Sequence, residues 1–286
     1  MKHNYDLHSH STVSDGVLSP AALVRRALEK GVDVLALTDH DEVAGFRPAA
    51  EEAAKRGLGL LAGVEVSVSW RKQTVHIVGL DVDPDHTGLS QGLAGLREYR
   101  HWRGEEIGRR LEKAGVMGAY AGALAQCKGD LLTRTHYGRF LLEAGVVDQL
   151  QGAFKHYLLR GKPGYVPGKW ASLEQAVGWI NAAGGVAVVA HPARYGMTRT
   201  RLRSLFGEFL EQGGAGLEVV SSSHNSNEIH TMAQHALDLG LAASRGSDFH
   251  DPGCRWVELG RLPPLPNKCE PIWERLNIPT EQSQRS

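Results

Sequence analysis

Short apolar runs recur along this chain, and six of them deliver a His, Asp or Glu at or near their C-terminal end. The candidate strands are Asn4–His8, Val32–Leu37, Leu58–Val68, Thr74–Val82, Val186–Ala190, Leu217–Val220 and Leu241–Ala243. Helical segments intervene. Pro20–Glu29 follows Ser19, an N-cap residue with Pro at the first helical position. Phe46–Arg56 and Leu173–Ala183 follow the same logic, and Leu202, Leu205, Phe206, Phe209 and Leu210 share one helical face. Strands alternating with helices predict an α/β fold with a parallel sheet. In a closed or nearly closed parallel barrel the strand ends converge on one face, where active sites lie.

Between about residues 86 and 165 the strand-like runs disappear. Leu89, Leu93, Leu96, Trp102, Ile107 and Leu111 predict one long helix, and Leu131–Gly145 and Ala153–Leu159 two more. The expected organisation is a catalytic barrel over 1–85 and 166–286, with 86–165 as a helical insertion that covers the substrate. Residues 86–170 carry a charge balance of +6 and the remainder −6. A basic module beside an acidic one fits an anionic substrate clamped over a metal site, and a solvated basic helix fits the numbers equally well. The tail from Pro279 on is polar and is expected to be disordered.

The whole chain of 286 residues has equal numbers of acidic and basic side chains, 32 of each. That excludes binding to nucleic acid through overall charge, because such binding needs a strong electrostatic term. Cys127, Cys254 and Cys269 show neither a zinc spacing nor a disulfide framework and sit in no nucleophile motif, so a reducing cytoplasm is expected. No N-terminal signal is visible, and the apolar runs are too short for a membrane span. Nothing points to an obligate protein partner.

The histidines, fourteen in all, decide the chemistry. In Asp6-Leu7-His8-Ser9-His10 two imidazoles at i and i+2 can share one ion, with Asp15 a little further on. Thr38-Asp39-His40-Asp41 places three ionisable groups at a strand end, which is costly unless they are paired or metal-bound. Glu65 interrupts an otherwise apolar and small strand, where a buried carboxylate needs a cation. His76, between Val75 and Ile77, would by itself be read as a core histidine. His191 follows Val186–Ala190, and Asp248 and His250 follow Leu241–Ala243. Nine candidate ligands (His8, His10, Asp15, His40, Glu65, His76, His191, Asp248 and His250) exceed the needs of one ion and suit two or three. Mixed imidazole and carboxylate ligation favours Mn, with Zn or Fe as alternatives, over Mg or Ca.

Read in order, DLHSHS, TDHD, GVEVS, HIVG, AHP and SDFH resemble the PHP (polymerase and histidinol phosphatase) phosphoesterases. The resemblance implies a distorted (β/α)7 barrel with a trinuclear centre. One ion would be held by His8, His10, Glu65 and Asp248, a second by Asp15, His40 and His250, and a third by Glu65, His76 and His191. Catalysis would run through a hydroxide held over Asp15, His40, Glu65 and Asp248. Within the family, the stretches Tyr99–Arg103, Leu132–Tyr137 and Gly161–Pro167 look most like the bacterial 3′,5′-nucleoside bisphosphate phosphatases, also described as 5′–3′ exoribonucleases.

Those relatives imply hydrolysis of the 3′-phosphate of a nucleoside 3′,5′-bisphosphate, and removal of 5′ nucleotides from short RNA by breaking the same bond. Arginine suits the distal phosphate because its fork matches phosphate oxygens. Arg134, with His136 nearby, is the first candidate, followed by Arg103 and Arg194. Trp102 could stack on a base, although a helical Trp is more often core. His224 and Asn225 are further candidate contacts, and Asp39 and Asp41 are expected to orient the histidines. The alternatives are a histidinol-phosphate or other small phosphomonoester phosphatase, and an RNA-binding module with structural metals. An amidohydrolase would need a bridging modified lysine, which no strand end offers.

Overall fold

The computed structural model describes residues 3–278; the tail from Pro279 lies outside them. Seven strands form one sheet in sequential order: β1 (Tyr5–Asp6), β2 (Val34–Leu37), β3 (Gly59–Trp70), β4 (Gln73–Leu80), β5 (Val186–Val189), β6 (Gly216–Ser221) and β7 (Ala242–Gly246). Hydrogen bonds from Leu7 N to Arg245 O (3.0 Å), Asp248 N to His8 O (2.9 Å) and His10 N to Phe249 O (2.9 Å) bring the last strand back to the first. The result is a nearly closed, distorted (β/α)7 barrel.

The helices around it are α1 (Pro20–Glu29), α2 (Phe46–Arg56), α3 (Thr87–Lys113), α4 (Ala119–Ala125), α5 (Arg134–Glu143), α6 (Leu150–Ala153), α7 (Leu173–Ala182), α8 (Arg199–Glu211) and α9 (Ser226–Leu239). Ser19 caps α1 through its side chain, and α2 ends on Gly57 at φ 76°, a conformation that favours glycine. Two helices were not anticipated, α4 and α9. The start of α9 is nonetheless written in the sequence: Asn225 and Glu228 form a reciprocal capping box. The helix expected from Leu131 starts at Arg134, behind the Thr133 cap. The one expected over Ala153–Leu159 is a short α6 continued by a π-helical turn, Phe154–Leu158.

The sheet departs from the expected parallel arrangement. β4 runs antiparallel to both β3 and β5. The reason is the connection: β3 and β4 are joined by the two-residue turn Arg71–Lys72, both at positive φ (44° and 66°). A parallel crossover needs a dozen or more residues, and a two-residue turn with positive φ at both centres makes a hairpin. The hairpin stands beyond the end of β2, whose pairing with β3 stops at Ala62.

Alternation along the strands separates two cores. Val34, Ala36, Leu61, Val78, Leu80, Val188 and Ala242 pack together inside the barrel. The stacked rings of Tyr5 and Trp273 (4.2 Å, interplanar angle 6°) lie at the margin of this cluster. The opposite faces of the same strands, including Val64, Val66, Val75, Ile77 and Val189, pack on α3, α7 and α8.

α3 belongs to two cores. Leu89, Leu93 and Leu96 join the barrel's outer core, while Ile107 and Leu111 join a separate cluster with Ala119, Ala123, Tyr137, Leu141 and Leu158. The expected boundary at residue 86 therefore precedes a helix whose first turns pack on the barrel. Among the described residues no helix is long and apolar enough to cross a membrane.

Candidate metal centre

At one end of the barrel all nine candidate ligands meet. Glu65 is fully buried at the centre. Its Oε1 lies 2.8 Å from His76 Nδ1 and 2.9 Å from His191 Nε2. Its Oε2 lies 2.9 Å from His40 Nδ1, 3.3 Å from His10 Nε2 and 3.4 Å from His8 Nε2. Asp248 Oδ1 is 3.3 Å from His10 and 3.5 Å from His8, and Asp15 Oδ1 is 3.2 Å from His250.

The routes differ from the expected one. His76 sits near the start of β4, because an antiparallel strand enters at the end where its neighbours leave. It shares the inward face with Val78 and Leu80. β1 stops at Asp6, so the pairing of His8 and His10 does not come from strand pleat. It comes from the extended backbone that follows, bound to the residues after β7 and to Thr38 N by Ser9 O at 2.9 Å. That close approach requires Gly246: a Cβ there would lie 2.2 Å from the His8 Cβ. Asp41, His191 and Asp248 hold positive φ (50°, 28° and 55°), a concentration of backbone strain typical of functional sites.

Three groups of side chains offer ligand atoms within reach of one ion: His8, His10, Glu65 and Asp248; His10, Asp15, His40 and His250; and His40, Glu65 and His76. The first is the expected set. The second adds His10 to the expected one, and in the third His40 joins Glu65 and His76, with His191 reaching the same Glu65 oxygen.

The donor set fits divalent cations on its own terms. Buried carboxylates need compensating charge. Burial opposes ionisation of Asp15, Glu65 and Asp248, yet the surrounding imidazoles hold all three well below the usual carboxylate range. In turn burial opposes a proton on His10, but Asp248 and Glu65 raise it to about 10, whereas burial takes His40 down to about 4. His40 Nδ1 and Glu65 Oε2, although 2.9 Å apart, are buried without an aligned hydrogen bond, as is Asp15 Oδ1. Those orientations suit ligands of a shared ion better than partners of each other.

Several positioning groups lay outside the sequence reading. Glu218, buried in β6, sets its Oε1 3.1 Å from His8 Nδ1 and accepts from His191 N at 2.5 Å through Oε2. Its signal, a carboxylate inside an apolar strand, is the one that singled out Glu65. Thr135 and Thr133 at the start of α5 donate to Asp15 Oδ2 at 2.8 and 3.2 Å. Tyr195 OH accepts from His76 N at 2.9 Å. The two aspartates expected to orient histidines do other work. Asp39 accepts from Ser11 and Ser14 and so braces the loop behind His10. Asp41 binds Arg100 at 2.6 Å.

A cavity of about 380 Å³ opens over the cluster, its lining including Arg100, Arg103, Arg134 and, beside the cluster, Arg194. Arg100 is neutralised by Asp41, and Arg194 forms an ion pair with Asp248. Arg103 donates to Val166 O at 3.0 and 3.2 Å, and neither it nor Arg134 has a carboxylate partner among the described residues. Burial, then the neighbouring Arg134 and Arg100, lowers Arg103 to about 9; burial and Arg100 also lower Arg134.

Four expected contacts are elsewhere. Trp102 is half exposed and does not line the cavity. His136 is buried as the reciprocal partner of the Thr133 cap, its Nδ1 accepting from Thr133 N at 3.0 Å. Asn225 is exposed and spends its side-chain oxygen on the first amides of α9, and His224 is buried against the Val219 carbonyl.

Fold and cluster together define an α/β barrel protein built around a His/Asp/Glu cluster compatible with metal binding. The chain belongs to the PHP domain family, whose model matches residues 6–185. It is 48% identical over 274 residues to a 3′,5′-nucleoside bisphosphate phosphatase of Chromobacterium violaceum, covering 96% of each chain. It is 44% identical over 283 residues to the 5′–3′ exoribonuclease Rnm of Escherichia coli, covering 98% of this chain and 96% of the relative. Among solved structures, a Chromobacterium violaceum protein described as an amidohydrolase, with bound sulfate and no metal, superposes with a TM-score of 0.94. It shares 48% identity over 97% of this chain and 98% of its own. A Bifidobacterium adolescentis protein described as a metal-dependent phosphoesterase gives 0.80 at 26% identity, covering 95% and 93%.

Proposed function

We propose that this protein is a metal-dependent phosphoesterase that removes the 3′-phosphate of nucleoside 3′,5′-bisphosphates and breaks the same bond at the 5′ end of short RNA. One observation carries the reading: two arginines without carboxylates face a cation-binding cluster across a single cavity. A substrate with two separated phosphates satisfies both ends at once. His8, His10, Asp15, His40, Glu65, His76, His191, Asp248 and His250 would hold two or three ions, Mn before Zn or Fe for this mixture of ligands. When bound, such ions supply an activated water at neutral pH and neutralise phosphoryl oxygens.

The chain's own residues do the rest. Arg134 and Arg103 grip the distal phosphate by charge-assisted hydrogen bonds that hold the ester over the cluster. Arg194 stands between the two ends and steadies Asp248. Glu218 fixes the ring planes of His8 and the backbone of His191, and Thr135 fixes the Asp15 carboxylate. The helical stretch 86–165 acts as the covering domain, because Arg103 and Arg134 lie on it. Among the described residues no lysine lines the cavity, which counts against a bridging modified lysine, and Glu65 would be the residue to join two ions. We place the activity in the cytoplasm, where the three free cysteines stay reduced.

The test is phosphate release from 3′,5′-bisphosphoadenosine and histidinol phosphate, side by side with Mn present. The expected outcome is a preference for the bisphosphate of at least about tenfold in kcat/KM, the worth of one charge-assisted contact. A preference for histidinol phosphate would overturn the assignment, and no release from either would point to a binding module.

A further inference from the structure

A second cavity, of about 270 Å³, adjoins the first. Its walls are Lys72 and Gln73 at the hairpin tip, Thr74, and the segment from Arg160 to Gly168. Thr74 lines both cavities, so they share a wall. Along β4, Thr74 is two residues, roughly 7 Å, from His76 at the metal centre. The second cavity thus lies beside the first, on the hairpin side, and none of the metal-ligand candidates or cavity arginines lines it.

Its character is one-sided. From residue 149 to 173 the chain contains Lys155, Arg160, Lys162 and Lys169 and no Asp or Glu. At the hairpin tip, Arg71 is taken up by Glu208, while Lys72 and Arg160 are exposed and have no ion-pair partner among the described residues. The tip holds Lys72 at φ 66°, where Asn or Gly would sit without strain. Tyr165, half-buried, lines the same cavity as the two cations. Unpaired cations that flank an aromatic ring in a groove form the usual architecture for a single-stranded nucleic acid, with phosphates on the charges and a base on the ring.

We propose that this groove is the exit track for the RNA chain that follows the nucleotide being removed. Lys72 and Arg160 each bind a backbone phosphate beyond the scissile one, and Tyr165 stacks on a downstream base. The site rests on the phosphoesterase reading above and adds to it a reason why one centre accepts both a free bisphosphate and an oligoribonucleotide: only the longer substrate has something to place there.

The experiment compares a 5′-phosphorylated pentaribonucleotide with 3′,5′-bisphosphoadenosine, both with Mn, in the wild type, Lys72→Ala, Arg160→Ala and the double variant. The double variant should lose about tenfold or more in kcat/KM on the pentamer, mostly through KM, with bisphosphate turnover within about twofold. The dependence of log KM on log salt for the pentamer should flatten by about 1.4, two phosphate contacts at roughly 0.7 each. Tyr165→Leu should lower pentamer affinity by at least about fivefold, a loss of stacking. Pentamer kinetics that ignore the substitutions, or equal losses on both substrates, would overturn the track while leaving the phosphoesterase intact. A wild type that hydrolyses neither substrate would overturn the phosphoesterase reading, and the track with it.

Discussion

The barrel contributes His76, His191 and Asp248 through the backbone that carries them, whereas the helical stretch contributes Arg103 and Arg134 through what each guanidinium touches. On the barrel side the sheet register fixes direction, and Glu65 ties five imidazoles to one point within 3.4 Å. On the helical side, positions are set by caps and single hydrogen bonds, such as Thr135 to Asp15 and Arg103 to Val166. Rigid framework holds the groups that must act together; adaptable side chains meet the part of the substrate that varies.

Substitution on the barrel side should therefore be all-or-none. Asp248→Ala or His191→Ala is expected to lower kcat by at least about a thousandfold, several kcal/mol of lost charge stabilisation, with an unchanged circular dichroism spectrum; near-normal rates in both would break the contrast. Chelation should abolish turnover and lower Tm, because an ion that binds only the folded state stabilises it by mass action, and Mn should restore both. Turnover that survives exhaustive chelation would remove the metal centre from the account. Glu218→Gln should weaken metal binding by about 10- to 100-fold, the usual effect of losing a partner that orients a histidine ligand; metal titration followed by activity measures it.

Effects on the helical side should be graded and substrate-dependent. Arg134→Ala should reduce kcat/KM for a bisphosphate by about 10- to 100-fold, a charged hydrogen bond of about 1.5–3 kcal/mol, and for an aryl phosphate by no more than about threefold. Equal losses on the two would show that this arginine serves the reacting phosphate instead. Smallest is Thr135→Val, which should cost about 1 kcal/mol and so a few-fold in kcat, with KM little changed.

The same contrast governs what could be read without coordinates. Ligands at strand ends were legible, since a carboxylate or imidazole after an apolar run has few uses. His76 became readable only as a member of that set. Glu218 carries the same signal as Glu65, but no histidine motif surrounds it in sequence to mark it. The reversed β4 runs against the expected parallel sheet, although the runs ending at Val68 and starting at Thr74 leave too few residues for a parallel crossover. The helical stretch was less readable. Thr133 and His136 form a cap whose polar partners exclude His136 from the cavity, while Arg100, on the long helix, reaches it by pairing with Asp41. Neither contact has a periodicity to announce it.

β3 pairs in parallel with β2 up to Ala62 and antiparallel with β4 from Gly63 on, and Glu65 stands just inside the second pairing, opposite Val78. Sliding that strand by a single position would turn Glu65 outward and present Val64 or Val66 to the five imidazoles, converting an ion trap into a greasy plug. Fidelity of one seam during folding thus decides whether a molecule is born active or inert, with no partially competent form between.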